Sequence, residues 1–254
     1  MIESTVEIAT PEGRMDGFVV RPDDGAFPAV LVLMDIWGLR EELFDLARKV
    51  AAAGYHCTVP NFYYRQGPVR FEFRDAQGRM KSFENIAAEE QQRMRAQMGR
   101  ITDELAMKDL RSILDFLNGQ KSVKAGPKGS VGFCLGGRYA VQSAALYPDE
   151  FRAGASLHGT RLATDAPLSP HKLAAACRGE IYCGFAEHDD LAPPATRKAL
   201  EAAFAANPHV RYTAVVHKGA AHGYALPNRD IFDERAAEQD WENIFSMFRR
   251  MLTA

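Results

Sequence analysis

The 254-residue sequence has little cysteine and no paired metal-binding motif. These shortages argue against a disulfide-stabilised fold and against a zinc site. Its four cysteines are too few and too scattered for a disulfide framework, so a reducing compartment is the default expectation. Neither a C-x-x-C nor an H-E-x-x-H pair is present, so a zinc site has no local signature. We therefore expect no metal and no other cofactor.

Charge of one sign and long apolar runs are also scarce. The formal net charge is −2, which gives no electrostatic reason to expect nucleic acid or an anionic membrane as a partner. No apolar run approaches the roughly 20 residues that span a bilayer. The first residues lack the basic-then-apolar layout of a signal peptide. The sequence therefore predicts a cytoplasmic protein whose partner is a small molecule, and it does not indicate an oligomeric state.

The remaining sequence, 46% hydrophobic and 25% charged, alternates predicted strands with amphipathic helices. The turn at 11–13 separates two partly alternating segments and predicts an N-terminal β-hairpin. Such alternation requires a mainly parallel sheet with helices on both faces, so we predict an α/β fold in one domain over 1–254. Further strands are expected at 29–34, 55–60, near 130, 151–158, 180–185 and 210–216, and helices at 41–53, 102–117, 194–205 and 231–252.

Residues 61–100 interrupt this alternation. They begin with a polar, irregular stretch and continue into a charged, Gln- and Met-rich segment at 84–98 that predicts a helix. A long excursion inside a compact domain is usually a functional lid or wall, although a solvated loop is the alternative. We expect a lid-like segment here.

The sequence around Cys134 has the pattern of a nucleophile elbow. Gly132-Phe133-Cys134-Leu135-Gly136-Gly137 follows a predicted buried strand and opens a helix, with cysteine where serine is usual. The tight turn requires small residues two positions either side of the nucleophile, and Gly132 and Gly136 meet that need. This pattern is typical of an α/β-hydrolase fold. Taken alone, Cys134 could also be a buried cysteine in a glycine-rich turn.

Two further side chains follow later strands in the order expected of such enzymes: nucleophile, acid, histidine. His222 can accept the proton of Cys134, and Asp189 can orient the imidazole. Each has an alternative interpretation. His222 could be a surface turn residue, Asp189 could be an acid at a helix N-terminus, and Asp190 could replace Asp189 as the partner. The predicted oxyanion hole consists of the backbone N–H groups of Leu135 and Trp37, while the Trp37 side chain serves as a core or interface aromatic.

At these positions the sequence resembles the dienelactone hydrolase family, cysteine-dependent α/β-hydrolases. The resemblance covers nearly the whole chain and lies in the elbow, in 189–193, in 221–223, in Asp35-Ile36-Trp37-Gly38 and in 61–66. It implies that Cys134 is the nucleophile, His222 the base and Asp189 its partner. It also implies that the residue at position 35, a glutamate in the family enzyme, helps to hold and release the resting thiol.

The sequence departs from the family pattern at two places that bear on the substrate. Asp35 is one methylene shorter than the family's glutamate, which can alter the gating of the thiol. The family binds a substrate carboxylate with two arginines, one of them four residues after the histidine, and here that position is Leu226. Candidate replacements are Arg229 in the same loop and Arg95 in the excursion, with Arg93 as its neighbour. Arg65 either lines the pocket or forms a structural salt bridge.

These residues predict a hydrolase of a small ester or lactone that works through a thioester on Cys134. The alternative is a non-catalytic α/β-hydrolase scaffold that binds a ligand or senses redox change through its thiol. The type of nucleophile argues against a C–C or carbon–halogen hydrolase, because those enzymes typically use serine or aspartate at the elbow.

Overall fold

A computed structural model describes residues 1–253, which form an eight-stranded sheet flanked by helices. The strands are β1 (Ile2–Thr10), β2 (Gly13–Arg21), β3 (Ala29–Leu33), β4 (His56–Pro60), β5 (Lys128–Phe133), β6 (Phe151–Leu157), β7 (Gly179–His188) and β8 (Val210–Ala221). The helices are α1 (Glu41–Ala52), α2 (Ala88–Gly99), α3 (Asp103–Asn118), α4 (Leu135–Leu146), α5 (Pro170–Leu173), α6 (Pro194–Ala205) and α7 (Glu234–Leu252).

The strand order is β1-β2-β4-β3-β5-β6-β7-β8, and the sheet is parallel from β4 to β8. The hairpin of β1 and β2 joins β4 in antiparallel pairing. Every residue of β3, β4 and β5 is buried, as expected for parallel strands covered on both faces. This arrangement confirms the predicted α/β-hydrolase fold with its N-terminal hairpin.

Helices cover both faces of the sheet. On one face α1 and α7 are neighbours, with the Lys49 ammonium 5.1 Å from the centre of the Trp241 ring. Helices α3, α4, α5 and α6 contact one another in sequence. None of the helices in residues 1–253 is long and apolar enough to cross a bilayer.

Several boundaries differ from those predicted, and two of the differences affect the site. Strand β7 continues to His188 and β8 to Ala221, so Asp189 and His222 each follow a strand directly. Helix α7 begins at Glu234 rather than at 231, because the carboxylate of Asp233 accepts the N–H of Ala236 as an N-cap. The predicted 159–179 loop contains α5 and a 3₁₀ turn.

The segment 61–100 has less regular structure than the rest of the chain. It contains 3₁₀ turns at Tyr64–Gln66 and Phe83–Asn85, and α2 starts only at Ala88, later than the predicted 84. The delay follows from Ile86, whose extended backbone separates the second turn from the helix. The N–H of Met80 donates to Asn228 and the N–H of Asp230 donates to Met80, which joins this segment to the loop after β8.

Candidate active site

The four candidate side chains of the sequence lie at the carboxyl ends of four strands. Cys134 follows β5, Asp189 follows β7 and His222 follows β8, while Asp35 lies two residues beyond β3. Because these strands are parallel, their carboxyl ends meet at one edge of the sheet. The topology therefore brings together residues that are up to 187 positions apart (222 − 35).

Cys134 lies at a backbone turn that is strained for any residue other than glycine. Its φ is 54° and its ψ −114°, and Leu135 begins helix α4 directly after it. A Cβ on Gly132 would lie 1.9 Å from the carbonyl oxygen of Gly136, and one on Gly136 would lie 2.4 Å from the carbonyl oxygen of Leu33. Both positions therefore require glycine, because any side chain would clash with a backbone oxygen. The cysteine is held between β5 and the N-terminus of α4.

The backbone N–H groups at this N-terminus face the same region. The first N–H groups of an α-helix have no acceptor within the helix, so the N–H of Leu135 is free to stabilise negative charge near Cys134. The other predicted donor, the N–H of Trp37, already donates to Oδ1 of Asp35 at 3.1 Å.

Asp189 and His222 are in direct contact. Nδ1 of His222 lies 2.8 Å from Oδ2 of Asp189, whose side chain is fully buried. The second carboxylate oxygen of Asp189 accepts the N–H of Leu191 at 2.9 Å, which fixes its orientation. Asp190, the alternative partner, is exposed.

The environment of His222 favours its protonated form. Burial by itself lowers the pKa of the imidazole, but the charge of Cys134, the hydrogen bond to Asp189 and the hydrogen bond to Cys134 act in the opposite direction. Together they raise the pKa of His222 to about 10. The site therefore stabilises an imidazolium between the cysteine and the carboxylate.

Asp35 is held by four hydrogen bonds. Oδ1 accepts from Arg40 at 2.6 Å and from Trp37, and Oδ2 accepts from Arg40 at 3.2 Å and from Arg229 at 2.6 Å. A carboxylate has about four lone-pair directions, so these donors occupy its capacity. Burial opposes ionisation, but the two guanidinium groups keep the pKa of Asp35 below its ordinary value.

Arg229 is buried against Trp37 and belongs to a charge-balanced cluster. Its guanidinium carbon lies 4.1 Å from the centre of the indole ring, and burial lowers its pKa despite the neighbouring Asp35. Arg40 also pairs with Glu42 at 2.5 Å. The cluster thus contains two arginines, Arg40 and Arg229, and two carboxylates, Asp35 and Glu42, so its net charge is zero.

A cavity of about 440 Å³ opens over Cys134 and His222. Segment 61–100 supplies one wall through Phe83, Arg95 and Met98. The rest of the lining is mixed: its large apolar side chains are Ile36, Trp37, Ile101, Leu168, Leu191, Leu226 and Ile231, and its charged ones include Asp103, Glu104, Arg138 and Arg161. Within residues 1–253 no group of three or more His, Cys, Asp or Glu side chains is arranged to hold a metal ion.

A family model described as the dienelactone hydrolase family matches residues 15–252, which is nearly the whole chain. The chain belongs to the dienelactone hydrolase family. Family membership makes it a hydrolase of the ester or lactone type.

Individual relatives agree with this membership. A protein of Methylorubrum extorquens named "Putative carboxymethylenebutenolidase" is 28% identical, over 98% of this chain and 81% of its own length. A protein of Synechocystis with the same name is 25% identical, over 97% and 96%. Among solved structures, a "Putative Dienelactone Hydrolase" from Klebsiella pneumoniae covers 98% of both chains with a TM-score of 0.82 and 22% identity. A dienelactone hydrolase-like promiscuous phosphotriesterase from metagenomic libraries has a TM-score of 0.75 and 18% identity, over 99% of this chain and 98% of its own.

The arginines considered for substrate binding lie in different places. Arg229 and Arg95 line the cavity, Arg229 buried and Arg95 exposed with its guanidinium carbon 4.9 Å from the Phe83 ring centre. Arg65 lies elsewhere: it makes a bidentate pair with Asp109 at 2.7 and 2.8 Å and a second ion pair with Glu12. The structure therefore supports a structural salt bridge for Arg65, and it does not place Arg65 in the pocket lining.

His158 lines the cavity of this dienelactone hydrolase family member but was not among the residues selected from the sequence. It follows β6, the strand between those that carry Cys134 and Asp189, and its ring centre is 4.9 Å from that of His222. The available signal was its position at a strand end, which the selected residues share. Arg161, exposed at the cavity, was also missed, and it follows the same strand.

Proposed function

We propose that the protein hydrolyses a small carboxylic ester or lactone by acyl transfer to Cys134, with His222 as base and Asp189 as its orienting partner. The observation that carries this proposal is the 2.8 Å contact between His222 Nδ1 and Asp189 Oδ2 beside an elbow cysteine. With Nδ1 committed to the carboxylate, Nε2 is the nitrogen available to the thiol.

In the first step the proton of the Cys134 thiol moves to His222, and the thiolate attacks the substrate carbonyl carbon. The raised pKa of His222 supports a stable imidazolium at this stage. The tetrahedral intermediate collapses when the carbon–oxygen bond of the ester breaks, and the leaving alcohol takes its proton from His222. A lactone follows the same course, with the alcohol retained on the acyl group.

The oxyanion of the intermediate is stabilised by backbone N–H groups. Leu135 supplies the first, at the start of α4. Trp37 supplies the second, and its N–H must then be shared with, or released by, Asp35. The dipole of α4 adds a favourable field, because Cys134 lies at its N-terminus.

For Asp35 we propose an indirect effect on the thiol. Its two oxygens are already engaged by Arg40, Arg229 and Trp37, which argues against a direct hydrogen bond to the resting sulfur. Asp35 instead sets the position of the Trp37 N–H and the charge of Arg229, and thereby the field over Cys134.

The cavity favours a substrate with an apolar acyl or alkoxy group. Its size, about 440 Å³, and its lining, including Leu226 and Trp37, support a small ring or chain. The name of the curated relatives refers to a butenolide lactone with a carboxymethylene group. Since Arg229 is charge-balanced by Asp35, a substrate carboxylate would instead meet Arg161 after β6 or Arg95 on segment 61–100. We propose that segment 61–100 acts as a lid.

Replacing the nucleophile tests the mechanism. Cys134→Ala should abolish turnover of p-nitrophenyl acetate and of simple lactones while the thermal unfolding temperature stays near that of the wild type. Cys57→Ala is the matched control, because Cys57 is a fully buried cysteine in β4, and it should retain activity. Activity near the wild-type level in Cys134→Ala would refute the acyl-transfer proposal.

The wild type, Cys134→Ala and Cys57→Ala also distinguish an enzyme from a non-catalytic scaffold. A binding or redox-sensing protein would show stoichiometric labelling of Cys134 by iodoacetamide but no turnover across a broad panel of esters and lactones. The enzyme should show both labelling and turnover, and labelling should abolish the turnover.

A further inference from the structure

The loop after β6 holds His158 against the nucleophile elbow. The N–H of Cys134 donates to the carbonyl of Leu157 at 3.1 Å, and the N–H of Thr160 donates to the carbonyl of Cys134 at 3.1 Å. His158 lies between these two contacts, and its own N–H donates to Gly184 at 2.8 Å. The backbone therefore fixes the position of His158 relative to Cys134.

The conformation of this loop is costly. His158 has a φ of 38°, in the left-handed region that non-glycine residues seldom adopt. The next residue must be small, because a Cβ on Gly159 would lie 2.2 Å from Oγ of Ser156. Strained backbone of this kind is concentrated at functional sites, where surrounding contacts hold it in place.

The His158 ring is buried without a polar partner from the protein. It is 1% exposed, and neither ring nitrogen has a hydrogen-bond partner among the described residues. Its ring neighbours are Phe133, Tyr224 and His222, with centres 5.9, 5.6 and 4.9 Å away. Buried polar atoms are nearly always satisfied, and the side of this ring not covered by protein faces the cavity over Cys134.

The two imidazoles at the site have opposite character. Burial, reinforced by the charge of His222, holds the pKa of His158 well below its ordinary value, whereas the pKa of His222 is raised. A neutral imidazole offers one N–H donor and one acceptor nitrogen. His158 can therefore bind a polar group without taking the proton that His222 is placed to accept.

We propose that His158 binds the water that hydrolyses the Cys134 thioester, which makes it a further catalytic residue. This inference rests on the proposed thioester mechanism. The acceptor nitrogen of His158 takes a hydrogen bond from one hydrogen of the water, while His222 removes the other as a proton. Two acceptors on one water fix its orientation, so that a lone pair of its oxygen points at the thioester carbon, and they increase its nucleophilicity.

The step balances without any further reactant. The water oxygen bonds to the thioester carbonyl carbon, and its proton goes to His222. The carbon–sulfur bond then breaks, the electron pair returns to the sulfur of Cys134, and the carboxylic acid product leaves. The thiolate of Cys134 and the protonated His222 then form the pair that attacks the next substrate or returns to the neutral thiol and imidazole, and His158 is unchanged.

The test separates acylation from hydrolysis with p-nitrophenyl acetate. His158→Phe retains an aromatic ring against Phe133 and Tyr224 but removes both nitrogens, and His158→Gln restores a donor and an acceptor. In His158→Phe the rate of the first nitrophenolate turnover should stay within about threefold of the wild type, while steady-state turnover falls at least tenfold. Intact-protein mass measurement should then find the acetyl group accumulated on Cys134, and His158→Gln should recover part of the steady-state rate.

His56→Phe is the matched control. His56 is likewise buried, has an unpartnered Nδ1 and lies in β4, whose residues take no part in the cavity lining. The His56→Phe variant should have a lower unfolding temperature but unchanged rates of acylation and hydrolysis. If His158→Phe proves unstable, His158→Leu and His158→Gln give the same comparison of acylation with hydrolysis.

The remaining outcomes overturn the proposal. Equal losses in acylation and hydrolysis would make His158 a residue that positions His222, which serves both steps. A rise in KM alone would make it a substrate contact, and unchanged kinetics would make it a core residue. Absence of acylation in the wild type itself would instead refute the thioester mechanism, so the two failures are distinguishable.

Discussion

Replacing Asp189 should reduce activity by an amount that follows from its contact with His222. A hydrogen bond to a charged group contributes about 1.5–3 kcal/mol, and about 1.4 kcal/mol is a factor of ten. Asp189→Ala should therefore lower kcat/KM roughly 10- to 150-fold. Asp189→Asn should lower it further, because an amide N–H can donate to Nδ1 and hold the proton on Nε2, where His222 cannot accept one from Cys134.

The assay is the pH dependence of kcat/KM for p-nitrophenyl acetate. The wild type should lose activity on the basic side as imidazolium is lost near the pKa of His222, about 10. Asp189→Ala removes one of the interactions that raise this pKa, so its basic limb should move to lower pH. Asp190→Asn, at the exposed neighbouring position, should stay within twofold of the wild type. Retention of more than a tenth of wild-type activity by Asp189→Asn, or an equal loss in Asp190→Asn, would refute the assignment.

Three further predictions concern stability. Asp35→Asn leaves the buried guanidinium of Arg229 without its carboxylate, so urea unfolding should give a free energy lower by about 3 kcal/mol, whereas an exposed Asp190→Asn change should give almost none. Gly132→Ala should prevent assembly of the elbow, seen as insoluble or inactive protein, because its Cβ would lie 1.9 Å from a backbone oxygen. Gly119→Ala is the comparison that should still fold, because φ at Gly119 is −83° and its Cβ would meet backbone oxygens only at an ordinary 3.5 Å. Burial lowers the pKa of His56 from 6.5 to about 4, so the unfolded chain binds more protons in this range and stability should fall by up to about 3 kcal/mol as pH drops from 6.5 to 4. His56→Gln should flatten that loss in acid denaturation, and an unchanged slope would contradict the buried, neutral state of His56.

The sequence was sufficient to predict the fold and to place the main candidate side chains at the carboxyl ends of strands. Buried strands of continuous apolar residues and a glycine-flanked cysteine are local signals, because burial and close contact restrict residue type directly. The strand ends were less accurate: β8 extends to Ala221, five residues beyond the prediction. The extra residues belong to the strand because they pair with β7. Pairing with a distant strand cannot be read from the residues of β8 alone.

The surroundings of the candidate residues were harder to predict. The position of Asp35 was identified, but its partners Arg40 and Arg229 lie 5 and 194 residues away and meet it only after folding. Arg65 was assigned no single role from the sequence because a pocket arginine and a salt-bridged arginine look alike until Asp109 is located. His158 was overlooked because its distinguishing property, a buried ring without polar partners, exists only in three dimensions.

The origin of the cavity walls has a consequence for how this enzyme can diversify. Cys134, Asp189 and His222 come from the half of the sheet made by β5 to β8, whereas Phe83, Arg95 and Met98 belong to a segment inserted between β4 and α3. One wall of the cavity is thus encoded in a stretch of sequence separate from the residues proposed to carry the reaction. Exchange of the inserted segment between relatives would alter which esters enter while the histidine–aspartate contact stays intact, so new substrates can be acquired without rebuilding the chemistry.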